Sequence, residues 1–250
     1  MIELKSKERI DRTGFGKVGI IQDPDEFCYG VDAVILADFA VKRSRPIRPE
    51  SSIMDLGTGS GIIPLILSHK TNSGRIMGTE VQENSWDRAV RSAELNELSD
   101  RIRFIRADIM DLLEENPELR GTFDVITCNP PYMKLSGGMK SENEAKMIAR
   151  HETTAGLDDF IRVAGDLLKD RGELFMVHRP SRLVDIFCTA RKYRLEPKAV
   201  RMVLPRMGEE ANIVLVHMVK NGGADLSVLP HLAIHDKDGG FTEELEEAYL

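Results

Sequence analysis

Asp55-Leu56-Gly57-Thr58-Gly59-Ser60-Gly61 follows a short apolar strand, Ser52–Asp55, and opens a helix over 62–69. Glycines this closely spaced let the backbone turn at positive φ and approach a ligand. A turn of this kind between a buried strand and a helix belongs to α/β architecture. The spacing differs from the G-x-G-x-x-G of dinucleotide enzymes, because here an acid precedes the glycines. That acid can accept from an ammonium group; it does not favour a pyrophosphate.

The remaining periodicity agrees with this class. Strands are predicted over 75–81, 101–107, 123–128, 172–178, 200–204 and 212–220. Helices are predicted over 83–98, 109–115, 157–169 and 181–193. Alternation at this spacing implies βαβ units and a mostly parallel sheet. The last two strands have no long helix between them, which implies an antiparallel hairpin at one edge. The expectation is a doubly wound, seven-stranded α/β core over residues 51–220. Residues 1–50 are expected to add a small extension, a hairpin of 9–12 with 18–22 and a helix over 31–41. Residues 221–250 read as an acidic C-terminal tail. Gly137–Glu144 is polar and glycine-bearing and reads as a loop.

Apolar residues make up 42% of the 250, enough for a full core without staples. The three cysteines, at 28, 128 and 188, have no paired spacing, which excludes a disulfide scaffold and a cysteine-based zinc site. Met1–Arg12 is charged and does not read as a signal peptide, and no apolar run reaches the ~18 residues of a membrane span. A cytoplasmic protein without membrane or metal is expected.

Ligands of open α/β sheets bind at the carboxyl ends of the strands. Asp55, Glu80 and Asp108 stand at three successive predicted strand ends. Asp55 can face an ammonium, Glu80 both hydroxyls of a ribose, and Asp108 an adenine amino group. Each alone has a plainer reading, a solvated acid or a helix cap. Together they fit a ligand with a cationic amino-acid part, a ribose and an adenine, and S-adenosylmethionine is such a ligand. The cofactor set is then Asp55, Leu56, Gly57, Thr58, Gly59, Gly61, Glu80, Val81, Asp108, Ile109 and Asn129.

Asn129-Pro130-Pro131-Tyr132 ends the fourth core strand. Pro130 and Pro131 remove two backbone donors and stiffen the chain. The Asn129 side-chain carbonyl and the Pro130 backbone carbonyl can accept from one NH₂ group. Tyr132 can stack on a planar group at roughly 1–3 kcal/mol per base. Such a clamp suits methylation of an amine by direct displacement, where positioning supplies most of the rate. The motif leaves adenine, guanine and a glutamine amide open as substrates.

From Ser51 to Lys220 the chain resembles the Rossmann-like class I S-adenosylmethionine-dependent methyltransferases. More specifically it is similar to the bacterial valine-tRNA adenine-37 N6-methyltransferases. The matching segments are Tyr29–Ala37, Asp55–Gly61 with Ile62–Leu65, Asn129–Tyr132, Ala149–Glu152, Arg201–Arg206 and Ile234–Thr242. The resemblance implies S-adenosylmethionine as cofactor, tRNA as partner and adenine 37 as target. The alternatives sharing the same clamp are protein glutamine N5-methylation and ribosomal RNA amino-methylation. His151 and Glu152 either brace the loop over the site or touch the target nucleotide. Lys17 and Tyr29 are expected near the cofactor mouth.

The net charge of -7 argues at first against nucleic acid. Residues 208–250 carry all of it, with nine acids and two lysines. Residues 179–206 hold eight basic and two acidic side chains, among them Arg179 and Arg206, and form a candidate RNA surface.

Overall fold

The computed structural model describes residues 2–26, 28–131 and 155–250. Tyr132, the loop at 137–144, His151 and Glu152 lie outside the described residues.

The core strands are β3 (Ser52–Leu56), β4 (Arg75–Glu80), β5 (Ile102–Arg106), β6 (Phe123–Cys128), β7 (Leu168–His178), β8 (Leu195–Arg206) and β9 (Ile213–Lys220). They lie side by side in the order β5-β4-β3-β6-β7-β9-β8. The first five are mutually parallel, and β9 runs antiparallel between β7 and β8. The seven expected strands and the edge hairpin are therefore present. The strand order reverses at β3, which pairs β4 on one side and β6 on the other. A crevice opens at such a switch point, at the carboxyl ends of the strands.

Side chains alternate faces along each strand, and the alternation builds two apolar layers. On β9, Ile213 and Leu215 join the first layer, while Val214, Val216 and Met218 join the second. The first layer is covered by α1 (Val31–Arg43), α2 (Ile62–Lys70) and α3 (Glu83–Leu95). The second is covered by α4 (Leu112–Glu115), α5 (Leu157–Leu167) and α6 (Leu183–Lys192). Helix α5 shows why such segments fold as they do. Phe160, Ile161, Val163, Ala164 and Leu167 are buried at helical spacing, and the Asp159 carboxylate accepts from Gly156 N at 3.0 Å to start the first turn.

Helix α1 is apolar over most of its surface, with eight consecutive buried residues from Ala33 to Ala40, of which Asp38 alone is charged and is paired with Lys42 and Lys70. A helix of that kind needs cover on most sides. The sheet and α2 supply part of it. The rest comes from residues 221–250, the expected tail. They form two short strands, β10 (Ser227–Val228) and β11 (Leu232–His235), and a helix, α7 (Glu243–Ala248). Both strands pair in parallel with the outer edge of β8. Leu245 and Ala248 enter the first layer. Tyr249 then stacks on Phe15, ring centroids 5.6 Å apart, and Phe241 stacks on Tyr249 at 5.9 Å. The segment is a strap rather than a loose tail.

Phe15 sits in the turn of the N-terminal hairpin, β1 (Arg9–Arg12) with β2 (Gly19–Gln22). Strand β2 packs on α3 rather than joining the sheet: Ile21 N donates to Ser92 Oγ at 3.0 Å and Gly19 N to Asn96 Oδ1 at 2.9 Å.

Candidate active site at the carboxyl edge

The glycine turn is tied to its neighbour strand by Thr58 N donating to Thr79 O at 2.9 Å. Gly61 precedes α2 at φ 86°, and a Cβ there would meet Phe104 Cζ at 2.8 Å, so glycine is required by both backbone and space. Gly59 also has positive φ, 57°, but a Cβ there would meet nothing within 4 Å. The turn thus presents bare backbone to open space.

Asp55 is 1% exposed at the end of β3. Register places it opposite Thr127 of β6, whose hydroxyl donates to Asp55 Oδ1 at 2.6 Å. The Thr58 hydroxyl stands close enough to favour the carboxylate but forms no aligned hydrogen bond. Asp55 Oδ2 and Thr58 Oγ1 are both buried without an aligned partner in the structure. Burial pushes the Asp55 pKa up to about 7; Thr127 and Thr58 oppose the shift and the Glu80 carboxylate adds to it. A buried acid with a free oxygen beside open, glycine-lined space has the chemistry to receive a cationic group. The ammonium of S-adenosylmethionine fits that requirement.

Glu80 ends β4 and is 8% exposed. Its Oε2 accepts from Gly59 N and its Oε1 from Gln82 N, both at 2.9 Å. The carboxylate therefore holds two loops in place, and a ribose would share it through the remaining lone pairs. Asp108 Oδ1 accepts from Met110 N at 3.0 Å, a turn-stabilising bond that leaves Oδ2 for a ligand. The ends of β4 and β5 meet through Ala107 N donating to Glu80 O at 3.1 Å. Leu56 and Ile109 are buried and Val81 is half-buried, so apolar walls flank the polar row.

Asn129 and Pro130 follow β6 directly, two residues past Thr127. Asn129 is half-buried, Pro130 buried and Pro131 half-buried. Burial and the neighbouring Asp55 hold the Cys128 thiol well above its usual range, so it stays protonated and inert. Cys128 pairs with Met176 of β7, which brings His178 level with the Asn-Pro-Pro turn.

Sequence reasoning missed Thr127 and His178. His178 could have been found by the strand-end rule that picked Glu80 and Asp108. Thr127 depends on the β3–β6 register, which no local pattern encodes. His178 is 3% exposed, and burial with the nearby Arg182 and Arg179 lowers its pKa to about 4, so it is neutral near pH 7.

The expected substrate residues divide. Arg179 follows β7 and Arg206 ends β8, and both stand on the carboxyl edge. Lys17 does not. Its neighbour Gly16 lies against His69, in the last turn of α2, so the hairpin turn covers the end of α2 remote from the glycine turn. The expectation that Lys17 lies at the cofactor mouth is corrected, because β2 packs along α3 with its start at the amino side. Tyr29 precedes α1 and packs against the first layer. The basic segment 179–206 is also split, since α6 carries Arg191 and Lys192 away from the crevice.

A family model described as the methyltransferase small domain matches residues 34–185. The chain is 33% identical to a tRNA1(Val) (adenine(37)-N6)-methyltransferase of Porphyromonas gingivalis over 66% of its own length and 64% of the relative's. The chain thus spans just under two thirds of that relative. It is 28% identical to the protein of the same description from Aeromonas hydrophila, over 86% of this chain and 85% of the relative. Among solved structures, a predicted O-methyltransferase from Agrobacterium tumefaciens superimposes with a TM-score of 0.68 at 24% identity, covering 87% of this chain and 96% of that one. That likeness shows the fold.

Proposed function

The chain belongs to the methyltransferase small-domain family, and from that premise we propose that it methylates the exocyclic N6 amine of adenine 37 in a valine tRNA, using S-adenosylmethionine. The observation that carries the chemistry is the Asn129-Pro130-Pro131 turn beside the half-satisfied Asp55 at the switch point of the sheet. Similarity to the two tRNA methyltransferases supports the choice of substrate.

Asp55 and the Gly57–Gly61 turn would hold the amino-acid part of the cofactor, Glu80 its ribose and Asp108 with Val81 and Ile109 its adenine. When bound, S-adenosylmethionine supplies an electrophilic methyl group. The carbonyl oxygens of Asn129 and Pro130 accept from the two hydrogens of the substrate amine. Holding both hydrogens turns the nitrogen lone pair out of conjugation and fixes its direction. Direct displacement then depends on positioning, which is the part of the barrier a rigid turn can remove. The reaction needs no nucleophilic side chain and no metal ligand set. Among the described residues no helix is long and apolar enough to cross a membrane; with tRNA as partner, the cytoplasm is the setting we assign.

Undermodified tRNA from a strain lacking this activity, incubated with the chain and labelled cofactor, is expected to gain N6-methyladenine at position 37. Label appearing in protein and not in RNA would overturn the reading.

A further inference from the structure

Two of the most exposed large apolar side chains in the described structure stand at the carboxyl edge. Val184 is 73% exposed in the first turn of α6, and Met207 is 71% exposed just after β8. The segments that carry them are tied together by Arg179, whose Nη1 donates to Asn212 O at 3.0 Å across the start of β9. Arg182 stands two residues before Val184, and Arg206 directly before Met207. Each is oriented by an acid, Asp185 at 2.7 Å and Glu209 at 3.8 Å, and Glu210 follows in the same connection.

The charge of this rim is balanced: Arg179, Arg182 and Arg206 against Asp185, Glu209 and Glu210. A surface that tracks a duplex through its phosphates would be predominantly cationic, with affinity falling steeply with salt. Exposed apolar groups adjoining arginines instead suit unstacked bases, which pack on apolar faces and on arginine. Exposed ion pairs are weak, so a phosphate can exchange for Asp185 or Glu209 at little cost.

We propose that the rim formed by Arg182, Val184, Arg206 and Met207 receives the unpaired nucleotides that flank the target base, and thereby selects single-stranded loop over duplex RNA. The inference rests on the tRNA reading above and goes beyond it, because it assigns the surface and the strandedness it recognises.

The test uses the full chain, an unmodified tRNA transcript, and competitor RNAs that are single-stranded or fully duplex. Val184→Glu and Met207→Glu change exposed side chains, so folding should be unaffected. Each is expected to raise KM for tRNA about tenfold, the scale of one lost base contact, with kcat and cofactor affinity unchanged. Arg206→Glu should weaken RNA binding similarly. Arg194→Glu, an exposed cation at the opposite edge of the sheet, should leave KM unchanged. Single-stranded competitor should inhibit and duplex should not.

Unchanged KM in both apolar variants, an equal loss with Arg194→Glu, or equal competition by duplex would each overturn the proposal. A wild-type chain that methylates no RNA would instead overturn the tRNA reading.

Discussion

The carboxyl and amino edges of the sheet are built from the same strands and treat buried polar groups in opposite ways. At the amino edge the chain pairs its own charged groups, although Ser44 Oγ is buried there without a partner. Asp124 Oδ2 accepts from Ser52 N at 2.9 Å and from Lys169 Nζ at 2.7 Å, joining the starts of β3, β6 and β7. Arg101 donates to the carbonyls of Ser68, Thr71 and Ser73, closing the turn between α2 and β4. At the carboxyl edge Asp55 Oδ2 and Thr58 Oγ1 are buried without an aligned partner. An unpaired buried acceptor costs free energy in the free protein, which a ligand can return on binding. The charged groups of one edge are paired by the chain itself, and the acid of the other keeps an oxygen that a ligand could complete.

Substitutions at the two edges should therefore separate activity from stability. Asn129→Ala should lower turnover by about 100-fold or more, the scale of losing one transition-state contact. Its unfolding free energy should fall by no more than about 1 kcal/mol, the scale of one hydrogen bond, as measured in urea. A parallel loss of stability would erase the contrast between the edges.

Asp55→Asn should show the sharpest reversal of sign. The folded pKa of Asp55, about 7, lies above its ordinary value of 3.8. Between these values the folded state binds more protons than the unfolded one, so the ligand-free protein loses stability as pH rises from about 4 to 7. Each unit is worth about 1.4 kcal/mol, so Asp55→Asn should be more stable than wild type by up to a few kcal/mol at pH 8. Cofactor affinity should fall with pH below about 7 in wild type, as Asp55 protonates, and lose that dependence in the variant. Thermal melts and calorimetry across pH check both; a pH-independent difference in stability would break the account.

Asp124→Ala should behave conventionally, with a loss of about 1–3 kcal/mol from the unpaired Ser52 N–H and no change in cofactor affinity. Tyr249→Ala should have the smallest effect, about 1 kcal/mol from the lost ring stack on Phe15, seen as a lower melting temperature with normal turnover.

Much of this was legible in the amino-acid order. The strand and helix alternation over 51–220, the glycine turn and the Asn-Pro-Pro turn follow from local pattern, and the structure places them as expected. What local pattern does not carry is register and the use of scattered apolar residues. The Asp55–Thr127 bond exists because two strands distant in sequence pair with no offset. Strand β8 begins at Leu195, five residues before its apolar run, because Leu195 and Pro197 face inward among charged neighbours. Leu232, Ile234, Leu245 and Ala248 are too few among seven acids to look like a core segment, and their burial becomes visible only with α1 beneath them. Lys17 was misplaced for the related reason that a hairpin can pack on a helix as readily as beside a sheet.

The strap has a consequence for the order in which the molecule forms. Synthesis delivers α1 long before its outer cover, Leu245 and Ala248. Until that cover arrives, a largely apolar helix has one face in water, and the hairpin turn lacks the ring that stacks on Phe15. Contacts this distant in sequence are slow to close, and exposed apolar surface in the interval favours association with other chains. The seven acids of the strap are made well after α1, where they can keep the partly folded chain apart from its copies until the strap docks.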